Sequence, residues 1–146
     1  MQAAVPLYGL YDFTNSSQTA SGAELNKFFR HYIMPAPYSQ QPELWRKASP
    51  LWQIDQKAPP MFMIQGSNDC LALVEETRVF VAALKQQSRA PVVYAELEGA
   101  QHGFDIFHGV RTEFAIEAIG KFLLHCYEHW RYTKGQRQPE PQPPGE

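Results

Sequence analysis

The sequence predicts an α/β fold in which parallel strands carry packed helices. Three observations support it. Short continuous apolar runs occur at Ala3–Leu7, Met61–Gln65 and Val92–Leu97, the pattern of strands buried on both faces of a sheet. Stretches with helical periodicity lie between these runs and after the last one. The second and third runs pass into turn-forming residues, Gly66-Ser67-Asn68-Asp69 and Gly99-Ala100-Gln101-His102-Gly103. Alternation of this kind implies parallel pairing through crossover helices.

Ala3–Leu7 closes on Tyr8-Gly9, and Pro6 removes one ladder donor from it. Ser21-Gly22-Ala23-Glu24 has the form of a capping box, a hydroxyl and a carboxylate placed to satisfy each other's neighbouring amides. The helix it opens carries Leu25, Phe28, Phe29, Tyr32 and Ile33 at helical spacing, and Pro35 and Pro37 end it. A loop rich in Pro, Ser and Gln follows, with a short helical stretch at Pro42–Lys47, and Ser49-Pro50-Leu51-Trp52 leads to the second strand. Leu73–Gln87 places Thr77, Phe80, Val81 and Leu84 on one face of a helix. Thr112 is the predicted cap of a last helix ending near Tyr127, with Phe114, Ala118, Phe122 and Cys126 in one stripe, flanked by Ala115, Ile119 and Leu123. Glu113 and Glu117 near its start, and Lys121, His125 and His129 near its end, suit the helix dipole. From Thr133 the chain is polar and Pro-rich, with too little apolar surface to offset its ordering entropy. The expectation is a domain over residues 1–132 and a disordered tail over 133–146.

The 146 residues suffice for one domain with a core of its own, and 44% hydrophobic against 19% charged residues excludes a disordered chain. A net charge of −2 without a basic cluster argues against nucleic acid or an anionic membrane as partner. Cys70 and Cys126 are too few for a disulfide framework, and reduced thiols are expected. No run is long and apolar enough to span a bilayer, and the N-terminus lacks the basic-then-apolar pattern of a signal peptide. A cytoplasmic setting is therefore the expectation. Ala3–Leu7 follows Met1 almost at once, so the domain opens inside a strand, which suggests that the start of the protein lies elsewhere.

Two residues stand out chemically. Asp69 follows the second strand and His102 the third, and open α/β sheets collect their chemistry beyond the carboxyl ends of strands. Each has a plain structural reading, Asp69 as a turn former and His102 as a polar loop residue. Their order and equivalent placement join them as an acid and a base. A serine hydroxyl is a poor nucleophile until an imidazole takes its proton, and a carboxylate must hold that imidazole in one tautomer. Gly103 gives the histidine loop its backbone freedom.

Other candidates fit less well. Asp105 and His108 resemble a dyad, but Phe104–Phe107 reads as packing the loop onto the core. His31, His125 and His129 fall on helix surfaces or ends, no cluster has metal-ligand spacing, and no cofactor is expected. Cys70 reads as a buried structural thiol and Asp12 as a loop-structuring carboxylate. Phe28, Phe29, Tyr32, Trp45 and Trp52 suit an acyl pocket or ordinary core packing.

With these residues placed, the chain resembles the C-terminal part of an α/β-hydrolase, most closely the hormone-sensitive-lipase-like carboxylesterases of the fold-3 group. The likeness runs from Ala3 to His125. It rests on Ala-Val-Pro-Leu-Tyr-Gly-Leu-Tyr-Asp12, Ala48-Ser-Pro-Leu51, Pro59-Pro-Met-Phe-Met-Ile-Gln-Gly-Ser-Asn-Asp69 and Leu97-Glu-Gly-Ala-Gln-His-Gly-Phe-Asp105. It implies a partial α/β-hydrolase fold with a cap-like helical insertion after the first strand, Asp69 as triad acid and His102 as triad base. It also implies that the three strands are the sixth to eighth of eight, with Ala3–Leu7 an exposed edge.

The family's His-Gly-Gly-type oxyanion loop and Gly-x-Ser-x-Gly elbow precede this strand, and no Gly-x-Ser-x-Gly occurs in the 146 residues. The resemblance therefore implies a fragment of a serine carboxylesterase or lipase-like hydrolase of small esters, inactive alone. The alternatives are a non-catalytic or split-enzyme module that binds the missing N-terminal half, and a serine peptidase of the prolyl-oligopeptidase type, which shares both motifs.

Overall fold

A computed structural model describes residues 2–16, 18 and 20–135. In chain order the elements are α1 (Ala20–Tyr32), α2 (Pro42–Ala48), one 3-10 turn (Pro50–Gln53), β1 (Met61–Gly66), α3 (Val74–Gln87), β2 (Val92–Leu97) and α4 (Val110–Gly135). β1 and β2 pair in parallel from Met61 opposite Val92 to Gly66 opposite Leu97.

The N-terminal run lies on the other side of β1, also parallel, through bridges from Ala4 to Met61 and Leu7 to Ile64. It is not a regular strand, and Pro6 is the reason. Residues 4, 6 and 8 face β1: Ala4 N donates to Pro60 O, Phe62 N to Ala4 O, Ile64 N to Pro6 O and Tyr8 N to Ile64 O. The amide that would continue this ladder at position 6 is the one proline lacks. β1 is thus the central strand, and its last five residues are buried.

Alternation along β1 divides the core in two. Met63 faces α3 and packs with Tyr11, Phe80, Val81 and Leu84. Phe62 and Ile64 face α4 and pack with Ala115, against Val5, Leu7, Ala118, Ile119 and Phe122. The face expected of α3 is the buried one, Thr77, Phe80, Val81 and Leu84 included. Tyr11 stacks on Phe80 with ring centroids 4.1 Å apart and planes 4° from parallel. Burial pushes its phenol up to about 12, against a hydrogen bond with the Gly9 backbone.

Several local expectations need correction. α1 begins at Ala20, so Ser21 lies within the helix rather than at its cap. Within α1 Phe29 is buried in the core, whereas Phe28 and Tyr32 are exposed, as is Ile33 just beyond it. α4 begins at Val110, placing Thr112 in its first turn, where its hydroxyl donates to Phe104 O and Phe107 O. Phe114 is 67% exposed, and the stripe that meets the sheet is Ala115, Ala118, Ile119 and Phe122. α4 also runs eight residues past Tyr127, through Thr133 and Lys134 to Gly135, so the helix enters the segment expected as tail. The rest of that segment, residues 136–146, lies outside the described residues.

The insertion between the N-terminal run and β1 is organised by polar contacts. Trp45 is fully buried and donates from Nε1 to Ala36 O. Ser49, also fully buried, donates to Trp45 O and accepts from Phe13 N. Asp12 accepts Thr14 N and Oγ1 on one oxygen and Ser16 N and Oγ on the other, at 2.6–2.9 Å. It is the loop-structuring carboxylate the sequence suggested. Burial alone would raise its pKa, but the hydrogen bonds from Ser16 and Thr14 overcome that and hold it below the usual carboxylate range.

A depressed carboxylate pKa contributes stability above its unfolded value that is lost as pH falls through the folded one. Asp12→Ala is therefore expected to cost about 1–3 kcal/mol at neutral pH, with the difference from wild type shrinking as pH falls below the ordinary carboxylate range. Urea unfolding of both proteins across that range measures it.

Candidate functional site

The site forms where two strand ends meet. β1 ends at Gly66 and turns through Ser67 and Asn68 to Asp69; β2 ends at Leu97 and turns through Gly99 toward His102. Backbone hydrogen bonds join the two turns directly: Ser67 N donates to Leu97 O and Asn68 N to Ala100 O, both at 3.0 Å. The Ser67 hydroxyl accepts Gly99 N at 2.8 Å. The approach is so close that a Cβ on Gly66 would lie 2.4 Å from Ala100 O. Gly99 and Gly103 both sit at φ +68°, in the left-handed region that side chains resist.

This join brings Asp69 and His102 together. His102 Nδ1 lies 2.9 Å from Asp69 Oδ2. The Asp69 side chain has no exposed surface, while that of His102 is 32% exposed. An isolated carboxylate so placed would be costly to bury, and four donors offset the cost. Leu71 N and Ala72 N donate to Oδ1 at 2.8 Å, Gln65 Nε2 donates to Oδ2 at 3.0 Å, and His102 supplies the fourth. Because the carboxylate only accepts, the neutral imidazole must carry its proton on Nδ1. Nε2 then holds the free lone pair, on a half-buried imidazole.

Three residues at the site were not singled out from the sequence. Tyr8 ends the N-terminal run with φ +38°, an uncommon value for a residue with a side chain, and its ring lies 4.4 Å from that of His102. Its hydroxyl donates to Asp105 Oδ1 at 2.9 Å. That bond, then burial and the charges of Asp105 and Asp69, hold the Tyr8 phenol above its usual range. Gln65 and Thr77 lie behind Asp69, both buried and hydrogen-bonded to each other. The available signal was Gln65 itself, a polar side chain at the α3-facing position after Met61 and Met63 in an apolar strand.

The remaining candidates separate. Asp105 bonds Tyr8, and His108 lies 2.8 Å from Glu113 at the exposed start of α4, so the two do not form a dyad. Phe104 packs onto the core, but Ile106 and Phe107 are 72% and 82% exposed, so the loop is only half anchored. Cys70 is exposed rather than buried, because the turn after Asp69 directs it outward. With Leu10, Leu25, Phe28, Phe29, Leu71 and one charged residue, Glu24, it lines a largely apolar cleft of ≈ 460 Å³. Of the other aromatics, Trp45 is core and Trp52 is half-exposed, donating from Nε1 to Thr14. His125 and His129 line a separate cleft that includes Pro60 and Pro91, at the amino ends of the strands and away from Asp69. Among the described residues no His, Cys, Asp or Glu group could hold a metal ion, and no helix is long and apolar enough to cross a membrane.

Known proteins resemble this chain in sequence and in fold. The family model described as BD-FAE matches residues 1–84. Esterase LipQ of Mycobacterium tuberculosis is 37% identical over 127 residues, covering 87% of this chain and 30% of LipQ. Esterase LipC of the same organism is 40% identical over 123 residues, covering 84% of this chain and 30% of LipC. Among solved structures, Thermogutta terrifontis esterase 2 phosphonylated by sarin superposes with a TM-score of 0.70 at 21% identity, over 85% of this chain and 44% of that one. The chain thus spans about 30% of the curated relatives' length. Likeness at this level shows that the chain follows part of the α/β-hydrolase fold.

Gly66→Ala is expected to destabilise the chain by about 1–3 kcal/mol, since the carbonyl its Cβ meets belongs to the backbone and cannot rotate away. Thermal unfolding should show the loss. Faster amide exchange at Asn68 should show that the two turns have parted.

Proposed function

The chain belongs to the BD-FAE family, among the α/β-hydrolase carboxylesterases, and from that premise we propose that it supplies the acid and base of a serine carboxylesterase. The observation that carries the proposal is the 2.9 Å contact between His102 Nδ1 and a buried Asp69 held by four donors. In this reading Nε2 of His102 takes the proton of a serine hydroxyl as it attacks the ester carbonyl, and Asp69 stabilises the resulting imidazolium. The same nitrogen then returns the proton to the departing alkoxide, and water repeats the cycle on the acyl-enzyme. The cleft lined by Leu25, Phe28, Phe29, Cys70 and Leu71 follows directly on Asp69 and supports an apolar group on the ester.

No Gly-x-Ser-x-Gly occurs in these 146 residues, so in this reading the nucleophile and the oxyanion donors come from an N-terminal half. The edge of the sheet supports such a partner. Residues 4, 6 and 8 turn their backbone toward β1, leaving the amides and carbonyls of Ala3, Val5 and Leu7 on the outer side, where a further strand can pair. Pro6 lacks its donor on the inner side only, so the outer edge keeps all of its own.

The isolated chain is expected neither to hydrolyse p-nitrophenyl esters nor to be labelled by a fluorophosphonate probe; covalent labelling would contradict the reading. Joined to the N-terminal half of a relative that carries Gly-x-Ser-x-Gly, it should hydrolyse esters. In that joined protein Asp69→Asn should lower kcat by about 10⁴-fold and His102→Ala by about 10⁶-fold, by analogy with other serine hydrolases. Parallel amide and ester assays on the joined protein separate an esterase from a peptidase.

A further inference from the structure

Asp69 orients His102 only if its own carboxylate is held, and the two oxygens are held differently. Oδ1 is fixed by its own turn, through Leu71 N and Ala72 N. Among the described residues, Oδ2 accepts from His102 and from Gln65 Nε2. Without Gln65 the oxygen that orients the imidazole would have, among those residues, the imidazole itself as its one remaining donor.

The orientation of the Gln65 amide is set by its surroundings. Its Nε2 donates to Ala72 O at 2.7 Å as well as to Asp69 Oδ2, and both of those groups only accept. Its Oε1 accepts from the Thr77 hydroxyl at 3.1 Å. Turning the amide over would set its oxygen against two acceptors, Ala72 O and Asp69 Oδ2, and leave the Thr77 proton without the acceptor it has now. Gln65 has no exposed surface and Thr77 is 1% exposed, so water cannot substitute for either contact. The row Thr77–Gln65–Asp69–His102 runs from the first turn of α3, across the end of the central strand, to the exposed imidazole.

We propose that Gln65 is a positioning residue for the acid–base pair: its amide, oriented by Thr77, holds Asp69 Oδ2 on His102 Nδ1 and so fixes the imidazole tautomer. This rests on the esterase reading for its catalytic meaning, but its test does not require a nucleophile. Nitrogen-15 NMR of the His102 ring in the chain as it stands reports the tautomer directly. The wild-type neutral ring should be protonated on Nδ1. In Gln65→Met, which keeps the volume and removes both donors, the Nε2-protonated fraction and the exchange rate of the Nδ1 proton should each rise about tenfold. Thr77→Val, which removes the donor to Gln65 Oε1, should move both in the same direction by less, and Thr77→Ser should restore wild-type values.

A residue that merely braces the turn would lower the melting temperature in these variants and leave the His102 ring unchanged; that result overturns the proposal. If Gln65→Met does not fold, the isosteric Thr77→Val decides on the same readout. In a joined, active protein Gln65→Met should lower kcat and leave KM in place. Absence of esterase activity there, with the tautomer shift intact in the isolated chain, would remove the catalytic reading and leave the positioning role standing.

Discussion

A buried negative charge organises the end of this sheet. Asp69 is shielded from water at the point where the central strand runs out, and such a charge is tolerated only when every lone pair it presents finds a donor. Each donor has a structural consequence. Binding Leu71 N and Ala72 N curls the chain after Asp69 and delivers it to Leu73, the cap of α3. Binding Gln65 ties that curl back to β1, and binding His102 draws in the loop after β2. The turn, the entry to α3 and the position of the imidazole are therefore consequences of one desolvated carboxylate.

The central position of β1 makes this possible. Strand alternation sends Met63 and Gln65 toward α3 and Phe62 and Ile64 toward α4, so one strand anchors two apolar layers and, at its last turn, the polar row behind Asp69. The same strand pairs on both sides, with β2 along its whole length and with the N-terminal run through two bridges. Tyr8, the last residue of that run, sets its ring against that of His102. The imidazole, which follows β2, thus meets groups from both of the other parallel segments. A single proline weakens the ladder on the inner side of the N-terminal run and spares the outer one.

Legibility in the sequence followed the range of the interaction. β1, β2 and α3 were legible because strand alternation and helical spacing are local, and in these elements the apolar pattern coincides with what the fold buries. Asp69 and His102 were legible as a pair because both end strands, and strand ends converge in a parallel sheet. Cys70 misled because it follows a buried residue, Asp69, while the turn directs it outward beside the exposed Leu71. Phe114 misled because α4 is apolar on more than one side, and periodicity does not say which side meets the sheet. Thr112 looked like a cap, yet its hydroxyl closes the histidine loop from inside the helix.

From sequence alone the chain is an α/β protein with an acid and a base at adjacent strand ends and no Gly-x-Ser-x-Gly motif. These properties depend on residue type and spacing, which the chain carries in one dimension. Only the tertiary structure decided that the pair is in contact, that Gln65 and Thr77 stand behind it and that Tyr8 lies beside it. Those contacts join residues up to 97 positions apart, as between Tyr8 and Asp105, and no local pattern encodes them. They arise because the strands stack in register, and register is set by the burial of whole apolar faces.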